Sequence, residues 1–290
     1  MKIAFASCAK IQDFPEQPAW KNIEDHNPDL LLLLGDNVYA PNKGWNHDAL
    51  EKRYIEQHEE PHFKSLISRV PFKAIWDDHD FGPNNSKGAE VDDEKRNRSR
   101  ELFHRYMDSS TNLPEAYYAF DAKDIDPNIT ESIRFIMLDV RYYREDSDEA
   151  GASPIGEKQY EWLESELTNS ADVTIVCSGT CLTQHKLQDE YLEKYSDFYH
   201  NRFLPLLNNA RNLIVLTGDV HSNHIVDHGL FAEFVSSGVG RGGLFSRKIR
   251  NNFGMLSISD SRIEIALEGR REKDQQSATI DPSTWQLSIR

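Results

Sequence analysis

The sequence predicts an α/β fold built on a mixed β-sheet, and three observations carry that reading. The first is the run Leu30-Leu31-Leu32-Leu33-Leu34, too short for a full helix and too uniform for a strand with one face in water. It fits a strand buried on both faces, as in the middle of an α/β sheet. The second is that short apolar runs of this kind alternate with segments of helical spacing as far as residue 217. The third is a change of texture beyond that point. Residues 231–236, 255–259 and 262–267 read as short alternating strands with no helices between them, so they are expected to be antiparallel. A β-α-β-α series followed by consecutive strands is the pattern of a mixed-sheet architecture.

Composition sets the bounds. A chain of 290 residues with 38% hydrophobic content can bury one large core or two small ones. With no repeat and no low-complexity linker, residues 1–290 are expected to form a single domain, residues 270–290 being a C-terminal extension. The net charge of −15 argues against nonspecific binding to nucleic acid or an anionic membrane, since both need a basic face. No run reaches the roughly 18 apolar residues of a membrane span. The N-terminus carries a single Lys and few apolar residues, too little for a signal peptide, and reads as a first strand. Three cysteines without framework spacing point to a reducing compartment. The expected location is therefore cytoplasmic, or secreted or periplasmic if a leader has been removed.

Each element has its local reason. The first strand, residues 2–7, ends at Cys8, and a helix over 16–26 leads through Pro28 into the leucine strand. Residues 45–70 carry helical spacing interrupted at Pro61. A third buried strand over 71–76 ends in Asp77-Asp78-His79-Asp80, and the polar loop 81–91 holds Gly82, Pro83, Asn84 and Asn85. Residues 92–107 read as a helix with acids first and arginines later, the order its dipole favours. The strand 133–138 ends at Asp139-Val140-Arg141. A helix over 156–167, a strand over 173–177, a helical region near 191–207 and a strand over 213–217 follow. That last strand runs into Gly218-Asp219-Val220-His221. Residues 270–277 read as a solvated charged segment and 285–289 as an edge strand.

Five strands thus end in candidate ligands or catalytic groups: Cys8, Asp36, Asp78-His79, Asp139-Arg141 and Asp219-His221. An acid or a histidine at one strand end is ordinary turn material. Five such endings, packed side by side in one sheet, would converge on its carboxyl edge, where open α/β sheets keep their chemistry. So many carboxylates in one place repel one another unless cations neutralise them, which makes a metal site the economical reading.

These residues resemble a known family. Gly35-Asp36-Asn37-Val38-Tyr39 resembles the Gly-Asp-x-x-Tyr signature of purple acid phosphatases within the calcineurin-like metallophosphoesterases. Gly218-Asp219-Val220-His221 is similar to their Gly-His-x-His, with Asp replacing the first His. Ser7-Cys8 stands where Asp-x-His is usual, and Trp76-Asp77-Asp78-His79-Asp80 takes the place of Gly-Asn-His. Together with Asp139-Val140-Arg141-Tyr142 and the Gly-Asp-x-His-Ser ending at Ser222, this set resembles the alkaline phosphatase D (PhoD-like) family. The resemblance implies an α/β/β/α sandwich with two mixed β-sheets, and a metal-dependent phosphoesterase hydrolysing mono- and/or diesters.

It also implies two neighbouring metal sites bridged by Asp36. One would hold Fe³⁺ through Cys8, Asp36, Tyr39 and His221, because thiolate and phenolate suit a ferric ion. The other would hold one or two Ca²⁺ through Asp36, Asp78 and Asp219, with the Asn84/Asn85 loop offering further oxygens. Other divalent metals fit the same positions. Water held by the metals would attack phosphorus in line. Arg141 would grip the phosphate oxygens, Asn85 would join it in substrate binding, and His79 would protonate the leaving alkoxide. The expected partner is a small phosphate ester. A phosphodiesterase of the phospholipase D type, and a non-catalytic metal-binding relative, are the alternatives.

Other features carry less. Cys177 and Cys181 sit four apart without a second pair and read as buried structural thiols. Thr180 and Gln184 are second-tier candidates, and Arg144, Arg241 and Arg247 are given no catalytic role. The Gly238-Val239-Gly240-Arg241-Gly242-Gly243 run does not open a helix in a βαβ unit, so it is read as a flexible surface loop.

Overall fold

The computed structural model describes residues 1–41, 44–107, 115–169, 171–185, 189–242 and 248–290. Its strands are, in chain order, β1 (Lys2–Ala6), β2 (Leu30–Leu34), β3 (Phe72–Ile75), β4 (Tyr118–Asp121), β5 (Ile133–Met137), β6 (Val173–Ser178) and β7 (Leu213–Thr217). They continue with β8 (His224–Asp227), β9 (Ala232–Val235), β10 (Phe253–Ser259), β11 (Arg262–Glu268), β12 (Gln276–Asp281) and β13 (Gln286–Ile289). One sheet has the order β13-β12-β11-β10-β1-β2-β3 and the other the order β4-β5-β6-β7-β9-β8. The three strands β1, β2 and β3 are parallel, as are β5, β6, β7 and β9, and the remaining pairings are antiparallel.

The leucine run explains the layering. Alternate side chains of a strand leave opposite faces. Leu30, Leu32 and Leu34 pack with Phe135, Ile175, Ile214, Leu216 and Phe234 from the other sheet. Leu31 and Leu33 point the other way, into Trp20, Leu50, Tyr54, Phe63 and Phe103. A strand covered on both sides needs five apolar residues in succession. The helices on that outer face are α1 (Ala19–Asp25), α2 (His47–Glu59), α3 (Pro61–Ile67), the single turn α4 (Asp78–Phe81) and α5 (Asp93–Met107). Pro61 breaks the helical stretch as expected: it opens α3, while the Glu60 carboxylate accepts the Phe63 N–H at 2.6 Å and so caps it. The second sheet's outer face packs Ile136, Val176 and Val215 against Leu163, Phe203 and Leu207. Its helices are α7 (Glu157–Thr168), α8 (Ser196–Phe198) and α9 (Leu204–Asn209), while the short α6 (Ala122–Ile125) packs Ala122 and Ile125 against the core between the sheets. The result is the α/β/β/α sandwich with two mixed sheets.

Four expectations are corrected. The strand endings do not share one sheet: Cys8, Asp36 and Asp78 follow β1, β2 and β3, while Asp139 and Asp219 follow β5 and β7 of the other. The strand over 231–236 is not purely antiparallel, because β9 lies parallel to β7 and antiparallel only to β8. Residues 238–240, read as part of a flexible surface loop, are buried instead, while residues 270–277 are largely solvated as expected apart from Asp274, which is 2% exposed and held by Arg271. The helical region near 191–207 is broken, with a π-helical turn at Tyr199–Phe203 before α9. Pro205 lies just beyond that turn, and its missing N–H withholds one α-helical hydrogen bond there.

Candidate metal centre

The carboxyl ends of the central strands of both sheets meet. Gly218, just past β7, lies so close to the first sheet that a Cβ there would sit 2.5 Å from the Leu34 carbonyl oxygen and 2.7 Å from Ser7 Oγ. Gly35 turns the chain out of β2 with φ +83°. The backbones are then stitched together: Cys8 N–H donates to the Gly35 carbonyl, Ala9 N–H to that of Asp36, and Gly238 N–H to that of Ser7. Around this junction five non-glycine residues take positive φ: Cys8, Asp36, Asn85, Asp219 and His221. Such conformations are sparsely populated and persist where the surroundings over-determine them, as at functional sites.

Two overlapping groups of donors result. One ligand atom from each of Cys8, Asp36 and His221 lies within 4.8 Å of the others, and the same holds for Asp36, Asp78 and His79. Asp36 belongs to both groups. The Cys8 thiol lies 3.5 Å from Asp36 Oδ2, and Tyr39 Oη lies 3.3 Å from His221 Nε2. The His79 ring packs on that of Tyr39 with centroids 4.1 Å apart. Asp219 is close enough to raise the proton affinity of Asp36, and Asp77 and Asp78 raise that of Asp219. Cys8, Asp36, Tyr39 and Asp78 are buried, while Asp219 and His221 are half-buried and border solvent.

Electrostatics favours a cation here. Burial pushes the Asp36 carboxyl well above its usual range, and Asp78, Asp77 and Asp219 push it further. Burial does the same to Asp219, to the Cys8 thiol and to the Tyr39 phenol. Asp78 goes the other way: burial opposes its charge, but His79, Arg141 and the Asn85 N–H hold its carboxyl low. Burial also keeps His221 neutral, its pKa lowered to about 3, and lowers that of His79. Neutral imidazoles are in the form that binds a metal ion, and carboxyls that resist ionising alone are what a metal ion would ionise. His79 Nδ1 is buried with no protein partner, a further donor without an assigned bond.

Arg141 is placed differently from the expectation. Its guanidinium is fully buried, with Nε 2.5 Å from Asp77, Nη1 2.7 Å from Glu190 and Nη2 3.3 Å from Thr180 Oγ1. Only a 4.0 Å approach to Asp78 connects it with the donors. Asp139 accepts from the Trp76 indole and from two backbone N–H groups, so it holds a turn rather than an ion. The Asn85 side chain is exposed, and its backbone N–H donates to Asp78 Oδ2 at 2.6 Å. Thr180 and Arg144 belong to the Glu190 network, and Gln184 stands exposed. Arg247 lies outside the described residues.

Three contributors escape the strand-end pattern. Arg241 lies with its guanidinium 4.7 Å from the Tyr39 ring centre, on the Cys8 and Asp36 side. Ser237 donates to Cys8 Sγ at 3.2 Å and accepts the His221 N–H at 2.8 Å. Asp80 gathers the N–H groups of Asp77, Asn37 and Val38, which fixes the Asp36 and Asp78 turns against each other. Asp80 stands within the Asp-Asp-His-Asp motif, and its position there was the available signal.

A family model described as PhoD-like phosphatase matches residues 3–263. Among curated proteins, alkaline phosphatase D of Bacillus subtilis (strain 168) is 26% identical over 306 residues, covering 84% of this chain and 51% of that protein. Tartrate-resistant acid phosphatase type 5 of Mus musculus is 23% identical over 167 residues, 55% of this chain and 46% of that relative. The chain thus spans about half the length of the curated relatives it matches. A solved structure of PhoD superposes with a TM-score of 0.77 at 19% identity, covering 100% of this chain and 71% of that one. GAP50, described as the anchor in the inner membrane complex of Plasmodium, gives a TM-score of 0.57 at 14% identity, covering 99% and 88%. At such identities the two structures speak for the fold alone. Among the described residues no helix is long and apolar enough to cross a membrane.

Proposed function

The chain belongs to the PhoD-like phosphatase family, and on that premise we propose that it is a metal-dependent phosphoesterase working at the centre around Asp36. The observation that carries this reading is the overlap of two donor groups at Asp36, where the strand ends of both sheets meet. The donor chemistry fits metal ions. Cys8, Asp36, Tyr39 and His221 would hold Fe³⁺, since thiolate and phenolate suit a ferric ion. Asp36, Asp78 and Asp219 would hold Ca²⁺, a hard ion that prefers oxygen. When bound, such ions supply Lewis acidity and a nucleophile at neutral pH.

The chain's own residues do the rest. Arg241 takes the phosphate-binding role, because its guanidinium borders the donors whereas that of Arg141 is committed to Asp77 and Glu190. Lys10 adds a second cation near Tyr39, at 5.8 Å from the ring centre. Two cations favour a doubly charged monoester over a singly charged diester. Burial holds His79 neutral, so it must take up a proton before delivering one to the leaving alkoxide. Residues 1–290 act as one catalytic domain, a reading supported by β12 and β13 extending the sheet that carries β1 and β2. Three free thiols support a reducing compartment.

The test is metal content of protein purified without chelator, together with hydrolysis of p-nitrophenyl phosphate and its bis ester. Near-stoichiometric iron with calcium is expected, with a visible Tyr39-to-iron band lost in Tyr39→Phe and faster turnover of the monoester. Zinc or manganese instead would overturn the ligand-to-metal assignment, and preference for the bis ester would move the reading to a diesterase. A chain that holds no metal and regains none on reconstitution would sink the phosphoesterase reading.

A further inference from the structure

We propose that this protein carries a second metal site, distinct from the centre at Asp36, in which Cys181, His185 and Glu233 hold a divalent transition ion of the Zn²⁺ class. One ligand atom from each of the three residues lies within 4.8 Å of the other two. The site is built on the second sheet alone. Cys181 follows the turn after β6, His185 lies on the loop beyond it, and Glu233 projects from β9. Cys181 and Glu233 are fully buried, while His185 is only half-buried and borders solvent, which gives an ion a way in.

Glu233 is the telling residue. A glutamate in the middle of a buried strand needs compensation. Its Oε1 accepts from the Leu182 N–H at 3.0 Å and the Thr217 hydroxyl at 2.7 Å, so the carboxylate is fixed before any ligand arrives. Among the described residues no Lys or Arg pairs with it, and its Oε2 lies 3.3 Å from His228 Nε2. A further imidazole, that of His224, stacks on His185 with centroids 4.7 Å apart. Thiol, carboxylate and imidazole at one point form the mixed soft and borderline set that zinc-type ions take. Calcium and magnesium, which prefer an all-oxygen set, do not.

Binding would balance simply. The Cys181 thiol gives its proton to solvent and gives up the S–H bond it now makes to the Gly218 carbonyl at 3.2 Å, and the sulfur binds the ion instead. Thiolate and carboxylate together offset the two positive charges. Gly218 immediately precedes Asp219, so an ion at this place would brace the strand end that carries Asp219 and His221 from the side opposite the first sheet.

Co²⁺ titration of the metal-stripped full chain tests this. In a Cys8→Ser background a thiolate-to-cobalt band cannot come from the Asp36 centre, and Cys177 lies outside the cluster. The expected result is such a band in Cys8→Ser, displaced by Zn²⁺ and lost in both Cys8→Ser/Cys181→Ser and Cys8→Ser/His185→Ala. His185 is half-buried, so its truncation leaves the fold intact, which a thermal melt checks. In parallel, zinc bound by the otherwise unaltered chain should drop by one equivalent on His185→Ala alone. The proposal is overturned if Cys8→Ser shows no thiolate band, if the band survives both second substitutions, or if His185→Ala keeps its zinc. The last two results would leave Glu233 and His228 as a plain hydrogen-bonded pair. None of these outcomes depends on whether the Asp36 centre hydrolyses phosphate esters.

Discussion

Arg141 and Arg241 both stand near the donor groups, but what surrounds their guanidiniums separates their roles. Arg141 is sealed between Asp77, Glu190 and Thr180. Removing it would leave two buried carboxylates without their cation, a loss of about 3–5 kcal/mol for a broken buried pair. Arg141→Ala is therefore expected to shift the denaturant midpoint strongly, with lost activity following lost structure. Arg241 packs on Tyr39 and is partly open. Arg241→Ala should leave the midpoint close to wild type while kcat/KM for a phosphate ester falls by about 10²-fold, the scale of losing one charge-stabilising donor. The reverse pairing of effects would return phosphate binding to Arg141. The difference was not legible in the sequence. A strand-end pattern tells where a side chain begins, and so Cys8, Asp36, Asp78, Asp219 and His221 could be named. It does not tell where a long guanidinium ends, and the partners of Arg141 lie 64 and 49 positions away.

Among the elements, β2 and β7 matter most, because their ends bring the two sheets into contact. A methyl group on Gly218 would meet the Leu34 carbonyl at 2.5 Å, and backbone cannot yield there as a flexible side chain can. Gly218→Ala should cost about 1–3 kcal/mol, the scale of overpacking, and should also lower metal content, since it pries Asp219 and His221 away from Cys8 and Asp36. Leu32→Ala is the contrast. It empties space in the core between the sheets and should cost about 3–5 kcal/mol, yet the protein that stays folded should keep its full metal complement. Equal metal loss in both variants at matched folded fraction would deny the junction any special role. Strands like β2 were legible because burial on both faces writes an unbroken apolar run. Strands β4, β8 and β12 were not, since each lies at the sheet edge or next to it and spends few apolar residues on the core. Likewise the break before α9 follows from one missing N–H at Pro205, within a stretch whose spacing still reads as helix.

On the scale of the whole molecule, a chain of net charge −15 gathers several of its buried acids at one junction, which ties its stability to both pH and metal. Burial raises the Asp80 carboxyl to about 7, and burial with neighbouring carboxylates raises Asp36 and Asp219 well above their usual range. Each of these groups binds its proton more tightly folded than unfolded. Its contribution is therefore complete below the unfolded pKa of about 4 and is lost as pH rises through the folded value. The buried histidines act in the opposite sense. His79 and His221 are held neutral in the fold, so they favour folding as pH rises, but only until the unfolded imidazole also loses its proton near 6.5. Above about pH 7 that opposition is spent. The metal-free chain should then lose about 1.4 kcal/mol per pH unit for each carboxyl still protonated in the fold. Thermal melts of chelated protein between pH 7 and pH 8 should fall steadily. Metal added back should raise the melting temperature most at the upper end, because bound cations take the place of those protons and remove the slope. A chelated chain whose melting temperature stays level across that interval would mean that Asp36 and Asp219 are ionised without metal, and that the junction tolerates its charge by some means other than a cation.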